Sequence, residues 1–358
     1  MEKKKWLVLG ISGLAWILIS FPFMEASAQQ TPKPIVLKCA AMAPRDMPVM
    51  LGFEAWGKEI EKRTNGRVKC EFYWAQALVK TGDEVKATGS GIADASFDVP
   101  AYHPTETPFA TIGELGFITS QVDAVPRSLT ELFKEFPVFR EQYDRHNIKL
   151  MSFFPFSPNI LGSNKPIKTL DDLKGKKIRA LGILNEVFAK LGATPVAIPV
   201  PEIYESLSRG VVDGFTGFPL TGVKGFKLFE PAKYYLDYRY GNYLVGEILF
   251  SKSRFDSLPS DIQKIIEQVS TETIDIYTTL YAKEEPGYVT PLKDFGCQFH
   301  TLPGDEAAKW KNLAGPGMWN SWIEKNKKYG PAQEFFDRFL ALVKKHEPQS
   351  KYVNPFPK

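Results

Sequence analysis

The sequence predicts an α/β protein of two lobes, each with a mostly parallel sheet flanked by helices. Apolar strand-like runs alternate with amphipathic helical segments in two parts of the chain, before residue 100 and again over residues 148–215. Such alternation is typical of parallel sheets covered by helices. The chain has 358 residues, more than one hydrophobic core usually organises, and this favours two lobes.

The individual elements follow from the spacing of apolar residues. In the first part we predict strands at 35–41, 68–74 and 93–99, a short helix at 85–89, and a longer helix that buries Met50, Phe53, Trp56 and Ile60. A polar helix is predicted over 127–143, followed by strands over 148–154 and 159–163. In the second part we predict a capped turn after Thr169, strands at 176–180, 194–198 and 211–215, and helices through Val187 and from Pro201.

The C-terminal third is predicted to be mostly helical. An amphipathic segment of about 25 residues begins with a capping box at Ser260, and a helix of that length would run along both lobes. Further helices are predicted over 305–311 and 331–345. We assign residues 33–157 and 246–285 to lobe I, residues 158–245 and 286–348 to lobe II, and residues 349–358 to a C-terminal tail.

The N-terminus has the pattern of an export signal. Three lysines at residues 3–5 precede an apolar run over 6–24, and the small residues at 26–28 suit a signal peptidase. We expect residues 1–28 to be a cleaved signal peptide, which places the mature chain in the periplasm. A retained membrane anchor is the alternative, although Pro22 interrupts the apolar run.

Composition argues against several classes of function. The net charge of +4 is small and comes without basic blocks, so nucleic acid is not an expected partner. Cys39, Cys70 and Cys297 are too few for a disulfide framework. Two alternatives stay open: one disulfide bond between Cys39 and Cys70, or three buried thiols. The four histidines show no metal-binding spacing, so we expect no metal site and no cofactor.

The sequence shows no catalytic pattern. We find no nucleophile elbow, phosphate loop or dinucleotide fingerprint. Asp171 and Asp172 are explained by the first turn of a short helix, whose positive end favours acids. His103 lies in a predicted cleft loop, where a lone histidine is usually solvated or packed. We therefore expect a protein that is not an enzyme and has no catalytic residue.

Candidate binding residues follow from topology, because ligands of parallel sheets gather at the carboxyl ends of the strands. Arg179 ends the strand at 176–180, and a guanidinium holds a carboxylate through two parallel hydrogen bonds. The alternative for a strand-end arginine is an ion pair with a neighbouring side chain. Aromatic residues outnumber acids at these strand ends, which suits an anion with an apolar body. The other candidates, for which core packing is the alternative, are Met42, Pro44, Tyr73, Trp74, Tyr102, Asn159, Thr216 and Phe218.

Five blocks of sequence resemble a known family. They are TNGRV at 64–68, YHP at 102–104, TLDDLKGKKIRA at 169–180, GATPV at 192–196 and PEIYESLSRGVVDG at 201–214. In this order they resemble the periplasmic solute receptors of tripartite ATP-independent (TRAP) transporters, over nearly the whole mature chain. The resemblance implies a two-lobed periplasmic binding protein fold that closes on an organic acid and delivers it to a membrane permease. The carboxylate-binding arginine of the family falls on Arg179.

Two departures from the family pattern bear on the ligand. Sialic acid and dicarboxylate receptors often carry a second basic residue where this chain has Asn159, twenty positions before Arg179. Many members have polar residues after position 214, where this chain has FTGF at 215–218. These departures favour a monocarboxylate with an apolar or aromatic body, and a C4-dicarboxylate or a sugar acid is the alternative.

The expected partners are a small organic acid anion and the permease subunits of a TRAP transporter, and we expect the chain to be a monomer. Two other binding functions stay open at this point. A receptor for an ATP-driven importer is disfavoured by the order of the motifs around Arg179. A sensory protein that presents its ligand to a receptor kinase is the other alternative.

Overall fold

A computed structural model describes residues 33–199, 202–242 and 244–356. The predicted signal peptide and Pro201 lie outside these residues. In the part of the chain that is described, no helix is long and apolar enough to cross a membrane.

The described residues form eleven strands and fourteen α-helices. The strands are β1 (Ile35–Ala40), β2 (Val68–Tyr73), β3 (Ala95–Asp98), β4 (Ile148–Pro155), β5 (Ile160–Ser163), β6 (Lys177–Arg179), β7 (Thr194–Val196), β8 (Gly214–Phe218), β9 (Tyr234–Asp237), β10 (Val245–Ser251) and β11 (Gln298–Thr301). The helices are α1 (Pro48–Arg63), α2 (Glu84–Gly89), α3 (Ala124–Glu135), α4 (Pro137–Asp144), α5 (Leu170–Leu173), α6 (Ile183–Lys190), α7 (Ile203–Ser208), α8 (Leu220–Gly225), α9 (Lys252–Asp256), α10 (Ser260–Thr271), α11 (Thr273–Glu284), α12 (Pro286–Asp294), α13 (Gly304–Asn326) and α14 (Ala332–His346).

Two sheets organise these elements, as the sequence predicted. The first sheet has the strand order β2-β1-β3-β10-β4, and the second has the order β11-β9-β5-β8-β6-β7. Each sheet contains one inverted strand: β10 runs antiparallel to β3 and β4, and β5 runs antiparallel to β8 and β9. The other strands of each sheet share one direction, so their carboxyl ends lie along one edge.

Helix α1 shows why the apolar spacing is informative. Met50, Phe53, Trp56 and Ile60 are all fully buried, which confirms the predicted face. Pro48 opens the helix, where its missing N–H costs no hydrogen bond. The Trp56 indole donates to the Ser270 hydroxyl at 3.0 Å, which ties α1 to α10.

The structure corrects two predicted helices. The segment 127–143 is two helices, because α3 ends before Phe136 and Pro137 starts α4. A proline inside a continuous helix would clash with the preceding turn. The long helix expected from Ser260 is likewise divided at Glu272, and it has no side-chain cap at its start.

Other corrections concern strands. The strand predicted at 211–215 is shifted to β8, so Thr216 and Phe218 lie within a strand rather than after it. Strands β9, β10 and β11 were not predicted, because each is held by partners distant in sequence. Cys39, Cys70 and Cys297 are free thiols, and a hydrogen bond to Cys70 raises the pKa of Cys39.

A long C-terminal helix joins the two sheets, as the predicted fold requires, but it is α13 rather than the segment from Ser260, and it is much longer than the helix predicted over 305–311. Helix α13 spans about 35 Å at the usual rise per residue. Near its start, Trp310 lies 5.7 Å from the ring of Tyr238, which follows β9 of the second sheet. Near its end, the Trp322 indole donates to the Thr111 hydroxyl at 2.9 Å, beside elements of the first sheet.

Candidate functional site

Arg179 is the last residue of β6 and is held firmly in place. Only 2 % of its surface is exposed, and the preceding Ile178 is fully buried in the core. The guanidinium donates from Nε to the carbonyl oxygen of Ile198 at 2.9 Å and from Nη1 to the carbonyl oxygen of Thr216 at 3.2 Å. These bonds fix the plane and direction of the guanidinium at the carboxyl edge of the second sheet.

A β-bulge in β8 delivers the carbonyl oxygen of Thr216 to Arg179. Pairing between β5 and β8 shifts by one residue between Ile160 and Gly162. Gly217 takes up the extra residue at φ +82°, a conformation that other residues rarely adopt. A Cβ atom at position 217 would lie 3.4 Å from Nη1 of Arg179, so glycine also leaves room for the guanidinium.

Asn159 accepts hydrogen bonds from the main-chain N–H groups that the bulge leaves without a strand partner. Its Oδ1 accepts hydrogen bonds from the amides of Gly217 at 2.9 Å and Phe218 at 3.2 Å. Its Nδ2 donates to the Tyr238 hydroxyl at 2.7 Å, and that hydroxyl is 2.9 Å from the Thr216 hydroxyl. Asn159 and Thr216 are both fully buried, so they position β8 from behind the binding edge.

Phe218 places an aromatic ring beside the guanidinium. The ring centroid lies 5.3 Å from the central carbon of the Arg179 guanidinium, within the range of cation–π attraction. Phe218 packs edge-on against Phe215 at 5.8 Å, which anchors it in the second-sheet core. Strand β8 thus supplies both a polar contact and an apolar wall to Arg179.

Tyr102 is the candidate at the end of β3. It ends a short 3-10 turn that follows this strand, and 51 % of its surface is exposed. Burial of the hydroxyl and the charge of Glu84 raise the pKa of Tyr102, and the positive charge of Arg179 acts in the opposite direction.

The remaining first-sheet candidates lie at the other carboxyl ends. Met42 and Trp74 are half-buried against the first-sheet core, and Trp74 stacks on Phe72 at 4.9 Å. Pro44 is exposed, and a hydrogen bond to Glu71 raises the pKa of Tyr73. The structure therefore places these four residues on the first-sheet side, with Met42 and Trp74 packed against its core.

Sequence reasoning missed several residues of this site. Tyr238 supports Asn159 and Thr216 from the position just after β9, a strand that was not predicted. Gly217 was noted only as part of a run of low polarity, although a glycine between two strand-forming residues often marks a bulge. The carbonyl of Ile198 carries no side-chain signal, so its role is visible only in three dimensions.

Two helix-flanked sheets joined by a long helix, with a fixed arginine at the carboxyl edge of one sheet, are typical of two-lobed solute-binding proteins. The chain belongs to the family described as bacterial extracellular solute-binding protein, family 7 (DctP), which matches residues 39–325. It is 26 % identical to the C4-dicarboxylate-binding periplasmic protein DctP of Rhodobacter capsulatus, over 79 % of this chain and 85 % of that protein.

Solved structures have the same fold. A TRAP receptor from an unidentified marine microbe, specific for aromatic acids and holding 3-hydroxybenzoate, is 26 % identical with a TM-score of 0.76, covering 88 % of this chain and 99 % of that one. A TRAP receptor from Desulfovibrio salexigens is 24 % identical with a TM-score of 0.79, covering 89 % and 98 %. The predicted two-lobed fold and family are therefore confirmed.

The family is one of solute-binding proteins, and the named relatives are periplasmic. It does not fix the ligand, because two relatives at the same 26 % identity are described for different solutes, C4-dicarboxylates in one and aromatic acids in the other. The ligand must be argued from the residues of this chain.

Proposed function

We propose that this chain is a periplasmic receptor that binds an organic monocarboxylate with an apolar or aromatic body and delivers it to a TRAP permease. The observation that carries the proposal is the buried guanidinium of Arg179, held at a strand end by main-chain carbonyls with the Phe218 ring beside it. Its planar fork suits one carboxylate.

The residues beside Arg179 favour a ligand with one carboxylate. Position 159 carries a neutral amide whose oxygen and nitrogen already hold β8 and Tyr238. A second carboxylate bound at this edge would lose its hydration water, and position 159 offers no cation to compensate its charge. Burial of an uncompensated charge is costly. A C4-dicarboxylate would need its second cation elsewhere in the cleft.

The rest of the proposed site favours an apolar body. Phe218 lies on the second-sheet side, and Tyr102, Trp74 and Met42 are aromatic or polarizable groups on the first-sheet side. We assign Pro44 and Tyr73 to the rim of the same cleft. The aromatic-acid specificity of the marine receptor supports this assignment, since its overall fold is the same.

In the proposed mechanism the anion first meets Arg179 in an open state, and the first-sheet aromatic residues then close over its body. The ligand favours closure only through contacts that the closed state adds. We assign residues 33–157 and 246–285 to one moving lobe, residues 158–245 and 286–348 to the other, and residues 1–28 to a signal removed during export.

The proposal is tested by a binding screen on the mature chain. Thermal shift and calorimetry should show binding of benzoate, 3-hydroxybenzoate or a branched-chain 2-oxo acid, and no binding of benzamide, which lacks the charge. Binding of succinate or galacturonate without binding of any of these monocarboxylates would overturn the proposed ligand class. Uptake of the bound acid should also require this receptor in cells that carry its permease.

A further inference from the structure

A second polar cluster lies in the first-sheet half of the molecule, away from Arg179. It contains three carboxyl groups and one imidazole, from α2, β3, the turn after β3, and β10. Their exposed fractions are 2 % for Glu84, 0 % for Asp98, 3 % for His103 and 0 % for Glu247. The proposed binding of an organic acid uses none of these four side chains.

Three of these groups, Glu84, Asp98 and His103, converge at distances suited to one ion. Nε2 of His103 lies 2.9 Å from Oδ1 of Asp98 and 3.3 Å from Oε2 of Glu84. These three donor atoms all lie within 4.8 Å of one another. Two ligand atoms bound to one metal at about 2.1 Å, with tetrahedral or octahedral angles, stand roughly 3.0 to 3.4 Å apart.

The cluster contains more negative than positive groups. Asp98 and Glu247 face each other directly across β3 and β10, an arrangement that is destabilising when both are charged. Among the described residues, His103 is the only basic side chain paired with Asp98 and Glu84. Burial, followed by the charge of Asp98, raises the pKa of Glu247.

Two carboxyl oxygens of this cluster also have no hydrogen-bond partner in the described structure. They are Oδ2 of Asp98 and Oε2 of Glu247, and both are buried. The other oxygens are held in place: the Tyr143 hydroxyl donates to Oε1 of Glu247 at 2.5 Å, and the Gly82 amide donates to Oε2 of Glu84 at 2.7 Å. Such outer hydrogen bonds orient the ligands in protein metal sites.

We propose that Glu84, Asp98 and His103 bind one divalent transition-metal ion, Mn²⁺ or Zn²⁺. One imidazole nitrogen with two carboxylates is a donor set that both ions accept. From the sequence we expected no metal site, because the spacing of histidines was the only signal considered and two of the ligands are acids on separate elements. The bound ion would fix the turn of residues 98–104, which carries Tyr102.

The competing occupant of the site is a proton on His103. Burial opposes protonation, but the hydrogen bonds and charges of Asp98 and Glu84 outweigh it and raise the pKa of His103 to about 10. The same negative potential attracts a divalent cation, and ion binding would release this proton. Metal content measured directly distinguishes the two occupants.

The experiment compares metal content in the full mature chain and its variants. Protein stripped with EDTA is equilibrated with MnCl₂ or ZnCl₂, desalted, and analysed by mass spectrometry for metal per chain, with thermal denaturation in parallel. We expect about one ion per wild-type chain and a higher Tm with metal. Asp98→Asn and Glu84→Gln should each bind at least tenfold less metal, whereas Asp171→Asn, a change at an exposed carboxylate, should bind as wild type does.

Wild-type protein that holds neither ion and shows no metal-dependent rise in Tm would overturn the proposal and leave the cluster as a protonated histidine among acids. Equal metal content in wild type and Glu84→Gln would place the ion elsewhere and overturn it as well. The side-chain oxygen of Glu84→Gln can still accept from the Gly82 amide, so this variant reports on the site even where Asp98→Asn does not fold.

Discussion

The two sheets present opposite polar arrangements at their carboxyl ends. The second sheet holds one guanidinium, oriented by main-chain carbonyls and by an amide-supported bulge. The first sheet holds one imidazole hydrogen-bonded to two carboxyl groups, with a third carboxyl group opposite Asp98, all nearly inaccessible to solvent. In our proposals the two arrangements bind opposite charges: the guanidinium on its rigid strand binds an anion, whereas the acidic cluster of the first sheet binds a cation.

The largest expected effect comes from removing the guanidinium. Truncation of a charged partner that is buried on binding costs about 2 to 5 kcal/mol, so Arg179→Ala should weaken binding of the best acid of the screen by at least 30-fold. Arg179→Lys keeps the positive charge but loses the planar pair of donors, and its affinity should lie between those of wild type and Arg179→Ala. Calorimetry that finds equal affinities for wild type and Arg179→Ala would make Arg179 a structural residue.

A further buried acid, Glu114, should make the stability of the protein depend on pH. Glu114 lines a cavity of about 560 Å³, Oε1 of its carboxyl has no described hydrogen-bond partner, and burial raises the pKa of Glu114 to about 8. Because this pKa exceeds the unfolded value, the contribution of Glu114 to stability is full below about pH 4 and is lost as the pH rises through 8.

Glu114→Gln should therefore remove a pH dependence that wild type shows. Between pH 5 and 9, the free energy of unfolding of wild type should fall by roughly 2 to 4 kcal/mol more than that of the variant. Urea denaturation across this range makes the measurement. Parallel pH profiles for the two proteins would show that the carboxyl is solvated in the folded state.

The bulge in β8 predicts a smaller effect at Asn159. Asn159→Ala leaves the amides of Gly217 and Phe218 without their acceptor, which should lower the free energy of unfolding by about 1 to 3 kcal/mol. Tyr238→Phe removes a hydroxyl from the same network without releasing these amides and should cost less. Denaturation curves in which Tyr238→Phe is the more damaging change would contradict the role given to Asn159.

The smallest effect is expected at Gly217. Gly217→Ala puts a methyl group near Nη1 of Arg179 in a strained conformation, at a cost of about 1 kcal/mol in stability and a several-fold loss of affinity. Gly225→Ala is the matched control, because a Cβ atom there meets nothing within 4 Å. We expect the affinity of Gly217→Ala for the acid to fall and that of Gly225→Ala to stay unchanged.

Elements with a strong local signal were predictable from the sequence. The buried face of α1 and the position of Arg179 at the end of β6 required only apolar spacing and turn residues. Strands β9 to β11 were not predictable in this way, because distant partners stabilise them. The division at Glu272 also escaped prediction, because the apolar stripe continues past it in the sequence while Tyr277 and Tyr281 become the buried residues.

The candidate site was predictable in outline and less so in its contacts. Arg179 and Phe218 were chosen for their chemistry, and the structure places them side by side. Asn159 was chosen as a ligand contact, but its amide is engaged with the bulge, a feature that depends on strand register. His103 was expected to be solvated or simply packed, and its two carboxylate partners became visible only when α2 and β3 were brought together.

The central claim is that the guanidinium of Arg179 binds the carboxylate of the solute. A crystal structure of the mature chain with its tightest-binding acid tests this most directly. We predict both carboxylate oxygens within hydrogen-bonding distance of that guanidinium and the body of the acid against Phe218. A carboxylate bound at another position, with Arg179 in contact with protein groups only, would contradict the account.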